Sequence, residues 1–121
     1  LKERGRVIGI VSNLTRGTLA GHVAEYGLES LVDVVVSRED AAESKPSPKP
    51  LLAAFTRLGI PPGQGSYVGD QTWDILAARS AGTSPVAISR SGSYHSRRML
   101  ESAKPDKIIQ RLSGLLYLDA R

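Results

Sequence analysis

The stretch Tyr67-Val68-Gly69-Asp70-Gln71-Thr72-Trp73-Asp74-Ile75-Leu76-Ala77-Ala78-Arg79-Ser80-Ala81-Gly82 decides the fold. A short apolar run stops at a glycine, an acid follows, and a second acid comes four residues later. Ser66 to Gly69 reads as a buried strand, and Trp73 to Ala81 as a helix with Gly82 just past its end. Asp70 is then expected at the carboxyl end of a strand and Asp74 in the first turn of the next helix. Open α/β sheets bind ligands in that crevice. Two carboxylates one helical turn apart can share a hard cation such as Mg2+. The same acids also suit a plain structural role, since acids in a first turn offset the helix dipole and Asp or Thr commonly caps a helix.

Working outward, Val7 to Val11 is an apolar run closed by Ser12 and Asn13, as expected of a buried parallel strand. A helix is expected over Arg16 to Tyr26, with Thr15 as cap, Leu19, Val23 and Tyr26 as its apolar positions, and Gly27 as its stop. Val34 to Val36 is a second short strand, and a polar loop follows to Ser44. In Lys45-Pro46-Ser47-Pro48-Lys49-Pro50 the prolines hold Lys45 extended. Ser47 should cap the next helix with Pro48 at its first position. Leu51, Leu52, Phe55 and Leu58 form that helix's stripe, and Gly59 ends it. Past Gly82, Pro85 to Ile88 is another strand and Tyr94 to Ser102 a helix, with Met99 spaced from His95. Ile108-Ile109 is either a strand or a helix start. Leu112, Leu115, Leu116 and Leu118 mark a closing helix. Alternation of this kind specifies an α/β fold, a three-layer, doubly wound parallel sheet.

With 121 residues the chain is expected to form one domain, spanning 1–121, around one core. It carries no long apolar run and no signal-peptide pattern, so no membrane partner is expected. Cysteine is absent, which excludes disulfides and thiolate metal sites and fits a cytoplasmic location. Sixteen Lys and Arg stand against twelve Asp and Glu. The excess is scattered, apart from loose groups at Lys2–Arg6 and Arg97–Lys107, and has little aromatic interleaving. A solvated surface explains it better than nucleic-acid binding.

Ser12 with Asn13, Lys45, and Asp70 with Asp74 fall, in a doubly wound sheet, on one carboxyl edge. Each has an ordinary alternative as a turn residue or a solvated lysine. Together they offer a hydroxyl, a fixed positive charge and a metal platform. That set suits a phosphoryl group, whose transfer depends on positioning and electrostatic stabilisation.

The runs Val11-Ser12-Asn13, Ser44-Lys45-Pro46-Ser47-Pro48-Lys49-Pro50-Leu51-Leu52-Ala53-Ala54 and Tyr67–Gly82 together resemble the haloacid-dehalogenase-like (HAD) superfamily, in particular its phosphoglycolate-phosphatase-like branch. The resemblance spans roughly Arg6 to Pro105 and implies a HAD-like Rossmannoid core. It implies that Ser12, with Asn13, binds the phosphoryl group and that Lys45 neutralises nucleophile and phosphate. It assigns Mg2+ to Asp70 and, through water, to Asp74. It makes the substrate a small phosphorylated metabolite. The dehalogenases themselves use no metal and lack this acid pair, so the resemblance favours a phosphatase.

One departure bears on activity. The family's first motif, an aspartate nucleophile with a second aspartate two residues on, has no match, because Asp-x-Asp occurs nowhere in the chain. In the family that motif ends the central strand, between the strand ending at Ser12 and the one ending at Gly69. The expectation is therefore a core lacking its first, central strand and any cap, being the C-terminal part of a longer protein. A preceding segment or another copy of the chain would complete the sheet. The 32 residues between Ser12 and Lys45 leave no room for a cap. The alternative is a non-catalytic phosphate- or metal-binding or interaction module of the same fold. A receiver domain of two-component signalling places its acids early and its lysine last, the reverse of this order.

Overall fold

The computed structural model describes residues 7–89 and 97–110. Among these residues five strands alternate with four helices: β1 (Gly9–Val11), α1 (Arg16–Glu25), β2 (Val34–Val36), α2 (Lys49–Leu58), β3 (Ser66–Gly69), α3 (Thr72–Ala81), β4 (Ser84–Ile88), α4 (Arg97–Ser102) and β5 (Lys107–Ile109). Every ladder is parallel, as strands separated by crossover helices require. In one sheet Gly9 lies opposite Val34 and Val11 opposite Val36. In the other, ordered β3-β4-β5, Gly69 lies opposite Ala87 and Ile88 opposite Ile109.

Among the described residues no ladder joins the two sheets. The break falls between β1 and β3, the position where the resemblance omits a strand. Helix packing spans it instead. α2 rests on β1 and β2 and also on α3, which in turn covers β3 and β4. Leu51 of α2 forms one core cluster with Ala77, Ala78 and Ala81 of α3, and Val11 and Tyr67 pack against it from the two sheets. Small side chains on α3 let the helices approach closely, so adding even one methylene there is felt at once. Ile75, Ala87 and Leu100 make the second cluster, joined by Ala103 and Ile108.

Gly59 and Gly82 end α2 and α3 in the left-handed conformation, with φ of 74° and 83°, the usual role of glycine just past a helix. Other boundaries differ from expectation for local reasons. β1 begins at Gly9 rather than Val7, which is exposed. α2 begins at Lys49 with Pro48 as its cap residue. Ser47 still assists, since its Oγ accepts the Lys49 amide at 3.3 Å. Thr15 flanks α1 but turns its hydroxyl to Thr18 at 3.0 Å. The first helical amide, that of Arg16, is capped across the chain by Glu39, at 2.9 Å to each carboxylate oxygen. Leu19 and Val23 are buried as expected, but Tyr26 is 69% exposed. On α4 the core position is Leu100, while Met99 and, on α2, Leu52 face out. Ile108-Ile109 is a strand. The expected helix over Tyr94–Ser102 is described from Arg97 onward, and the closing helix at Leu112–Leu118 lies outside the described residues.

Candidate functional site

The chemistry gathers where β1 and β3 end. Ser12 directly follows β1, and its amide donates to the Val36 carbonyl at 3.0 Å, extending the ladder by one bond. Its hydroxyl accepts the Leu14 amide at 3.1 Å, a turn typical of serine at a strand end. Asn13 turns its Oδ1 towards the Lys45 amide at 3.4 Å, joining the first loop to the second. The Lys45–Pro46 peptide is cis.

The Lys45 side chain reaches back into the protein. Its Nζ donates to Asp74 Oδ1 at 2.7 Å and to the Tyr67 hydroxyl at 2.8 Å, and lies 5.3 Å from the centre of the Tyr67 ring. The ion pair is buried, with the Lys45 and Asp74 side chains only 10% and 6% exposed. Burial pulls the ammonium down, yet Tyr67 and Asp74 outweigh it and hold Lys45 above the ordinary lysine value. Burial pushes the Tyr67 phenol up, with Lys45 opposing it, so the phenol stays protonated at neutral pH. Removing either partner of such a pair would strand a charge in a poorly solvated place.

Asp74 is at the third position of α3, and its Oδ2 accepts the Gln71 amide at 3.2 Å. It thus combines the expected helix-capping role with the ion pair to Lys45. Asp70 immediately follows β3, is partly buried, and takes no ion pair among the described residues. No hydrogen bond among those residues links the Ser12 hydroxyl or the Asp70 carboxylate to Lys45. The structure therefore brings Asn13, Lys45 and Asp74 into one bonded chain and sets Ser12 and Asp70 beside its two ends in sequence.

Tyr67 is the member that sequence reasoning missed. A usable signal existed: a tyrosine inside a buried strand must find a partner for its hydroxyl. Among the described residues no group of three or more His, Cys, Asp and Glu could hold a metal. A groove of about 600 Å³ lies elsewhere, bordered by Arg16, Leu19, Val23, Val35, Asp40 and Arg57. Its polar rim is structural, because Arg16 and Arg57 both bind Asp40, at 3.0 and 3.1 Å.

The family model of the haloacid dehalogenase-like hydrolases matches residues 1–88. The chain belongs to this family. A relative named pyrophosphatase PpaX from Bacillus mycoides is 36% identical over 121 residues, covering 100% of this chain and 55% of that protein. A HAD phosphatase from Thermococcus onnurineus superposes with a TM-score of 0.84 at 32% identity, covering 98% of this chain and 52% of that one. A predicted phosphoglycolate phosphatase from Haemophilus somnus superposes with a TM-score of 0.87 at 26% identity over 98% of this chain and 52% of its own. The HAD chain thus spans about half the length of the relatives it matches, and the α/β fold is shared throughout. No helix among its described residues is long and apolar enough to cross a membrane.

Proposed function

We propose that this HAD chain is the phosphate- and metal-binding portion of a Mg2+-dependent phosphatase for a small phosphorylated molecule. The observation that carries the reading is the buried Lys45 ammonium, clamped by Asp74 and Tyr67 directly beside the Asn13 loop. An ammonium has three donors. Two serve Asp74 and Tyr67, and the third suits a phosphoryl oxygen. Ser12 and Asn13 border the same place from β1. The donor set fits a hydrated magnesium: Asp70 would hold it directly, and Asp74, whose two oxygens serve Lys45 and Gln71, would reach it through water. When bound, the ion would neutralise phosphoryl charge.

Covalent phosphoryl transfer of the kind the family's first motif supplies also needs a carboxylate nucleophile in line with phosphorus. The chain has no Asp-x-Asp, and Asp70 cannot attack while it holds a cation. Binding without turnover is accordingly the expected behaviour of these 121 residues. Because the Bacillus relatives are named pyrophosphatases, pyrophosphate is the first substrate to offer. The purified chain should bind orthophosphate in a Mg2+-dependent way, weakened at least about tenfold in Lys45→Met and Asp70→Asn, the loss of one charge-assisted contact. Calorimetry would measure it. Steady hydrolysis of an aryl phosphate, abolished in Asp70→Asn, would overturn the expectation of no turnover. Absence of phosphate binding would overturn the reading itself.

A further inference from the structure

Resting on that phosphatase reading, we propose that Tyr67 is a positioning residue, which fixes the Lys45 ammonium relative to the loop after β1 and acts on the phosphoryl group only through it. Lysine has no acceptor, so the 2.8 Å contact runs from Nζ to the phenolic oxygen. The phenol has a single proton, and two acceptors stand in reach: the Val11 carbonyl at 3.3 Å and Asp74 Oδ1 at 3.5 Å. Val11 is the last residue of β1 and directly precedes Ser12. One hydroxyl therefore touches the lysine, the acid that pairs with it, and the strand that delivers the serine.

That placement exceeds what packing needs. The ring sits against the Leu51, Ala77, Ala78 and Ala81 cluster, where phenylalanine would fill the same volume. The hydroxyl is also a polar tie between two sheets that share no ladder among the described residues. Without it, Asp74 and the ring face still attract the ammonium, but a single hydrogen bond leaves a four-carbon side chain free to swing. Lys45 would then keep its charge but lose its place.

The test uses the 121-residue chain as wild type, Tyr67→Phe and Lys45→Met. The Lys45 ammonium is followed by its 1H–15N NMR signal, assigned by its absence in Lys45→Met. Orthophosphate is titrated while the Ser12 and Asn13 amides are observed. The expected result is a Tyr67→Phe protein that still melts cooperatively, loses the Lys45 ammonium signal, and binds orthophosphate about tenfold more weakly. Retention of that signal, with affinity within about twofold, overturns the positioning role. If Tyr67→Phe does not fold, 3-fluorotyrosine placed at position 67 alone decides. Movement of the Lys45 signal with core methyl signals unchanged supports the role, and no movement overturns it. A wild-type chain that binds no orthophosphate sinks the phosphatase reading instead, and the ammonium signal in the Tyr67 variant still decides positioning either way.

Discussion

Gly69 and Asp74 are in such close contact that a Cβ added at position 69 would overlap the Asp74 Cβ and its carboxylate. The glycine after an apolar run is thus the space into which the second acid folds back. Asp74 can reach Lys45 and the Gln71 amide only because position 69 has no side chain.

Gly69→Ala should therefore destabilise the protein by about 1–3 kcal/mol, the range for overpacking a tight site. Gly63→Ala is the matched control, since nothing lies within 4 Å of a Cβ there. Urea unfolding of both variants checks the claim. Equal midpoints for the two would show that Asp74 moves aside freely.

Lys45→Met should cost about 3–5 kcal/mol, because it leaves Asp74 charged and buried without its partner. The double variant Lys45→Met/Asp74→Leu should recover part of that loss, since two apolar groups replace an ion pair more cheaply than one orphaned acid. Chemical denaturation of the three proteins measures it. A double variant less stable than Lys45→Met alone would mean that the Gln71 cap, not the ion pair, dominates at Asp74.

Those two sites illustrate what could be read from sequence. Gly69, Asp70 and the α3 boundaries follow from local rules: an apolar run ended by glycine, then helical spacing closed by Gly82. The Lys45–Asp74 pair spans 29 residues, and Tyr67 to Val11 spans 56. Only assembly of the two sheets brings them together, so no pattern within a window could reveal them. The α1 cap is legible only in part for the same reason. Thr15 stands at the N-cap position, but its hydroxyl bonds Thr18, and Glu39, 23 residues beyond Arg16, supplies a charged acceptor for the Arg16 amide. On α4 the buried residue is Leu100, a position that the spacing of Met99 from His95 does not single out.

Acid should loosen the corner beside α1 through Asp40. The Ser37 amide, then the Ser37 hydroxyl, then Arg57 and Arg16 hold its carboxyl well below the ordinary 3.8. A depressed value in the folded state gives stability that is complete above the ordinary value and fades as pH falls below it. Glu43 and Asp106 are also lowered, chiefly by the Ser47 and Ser84 hydroxyls, and act in the same direction. Urea midpoints recorded downward from pH 6 should fall below about pH 4 in the wild type, and less steeply in Asp40→Asn. Parallel curves for the two proteins would exclude Asp40 as a source of acid sensitivity.

The break between the sheets predicts an alternating pattern of amide exchange. In a parallel ladder a residue's N–H and C=O point to the same neighbour, and successive residues alternate. The Ser12 amide bonds to Val36 of β2, so Ile10 faces β2 as well, whereas Gly9 and Val11 face the break. On the other side the Gly65 carbonyl bonds to Ser84 of β4, which directs Tyr67 and Gly69 to β4 and leaves Ser66 and Val68 on the open edge. Unpaired strand amides exchange through small local openings. The Gly9, Val11, Ser66 and Val68 amides should therefore exchange about tenfold or more faster than those of Ile10, Ser12, Tyr67 and Gly69. Hydrogen–deuterium exchange followed by NMR reads this directly. Uniform protection along β1 and β3 would mean that the two edges pair with each other or with a second copy of the chain in solution. A concentration series would separate those cases, because only pairing between copies weakens on dilution.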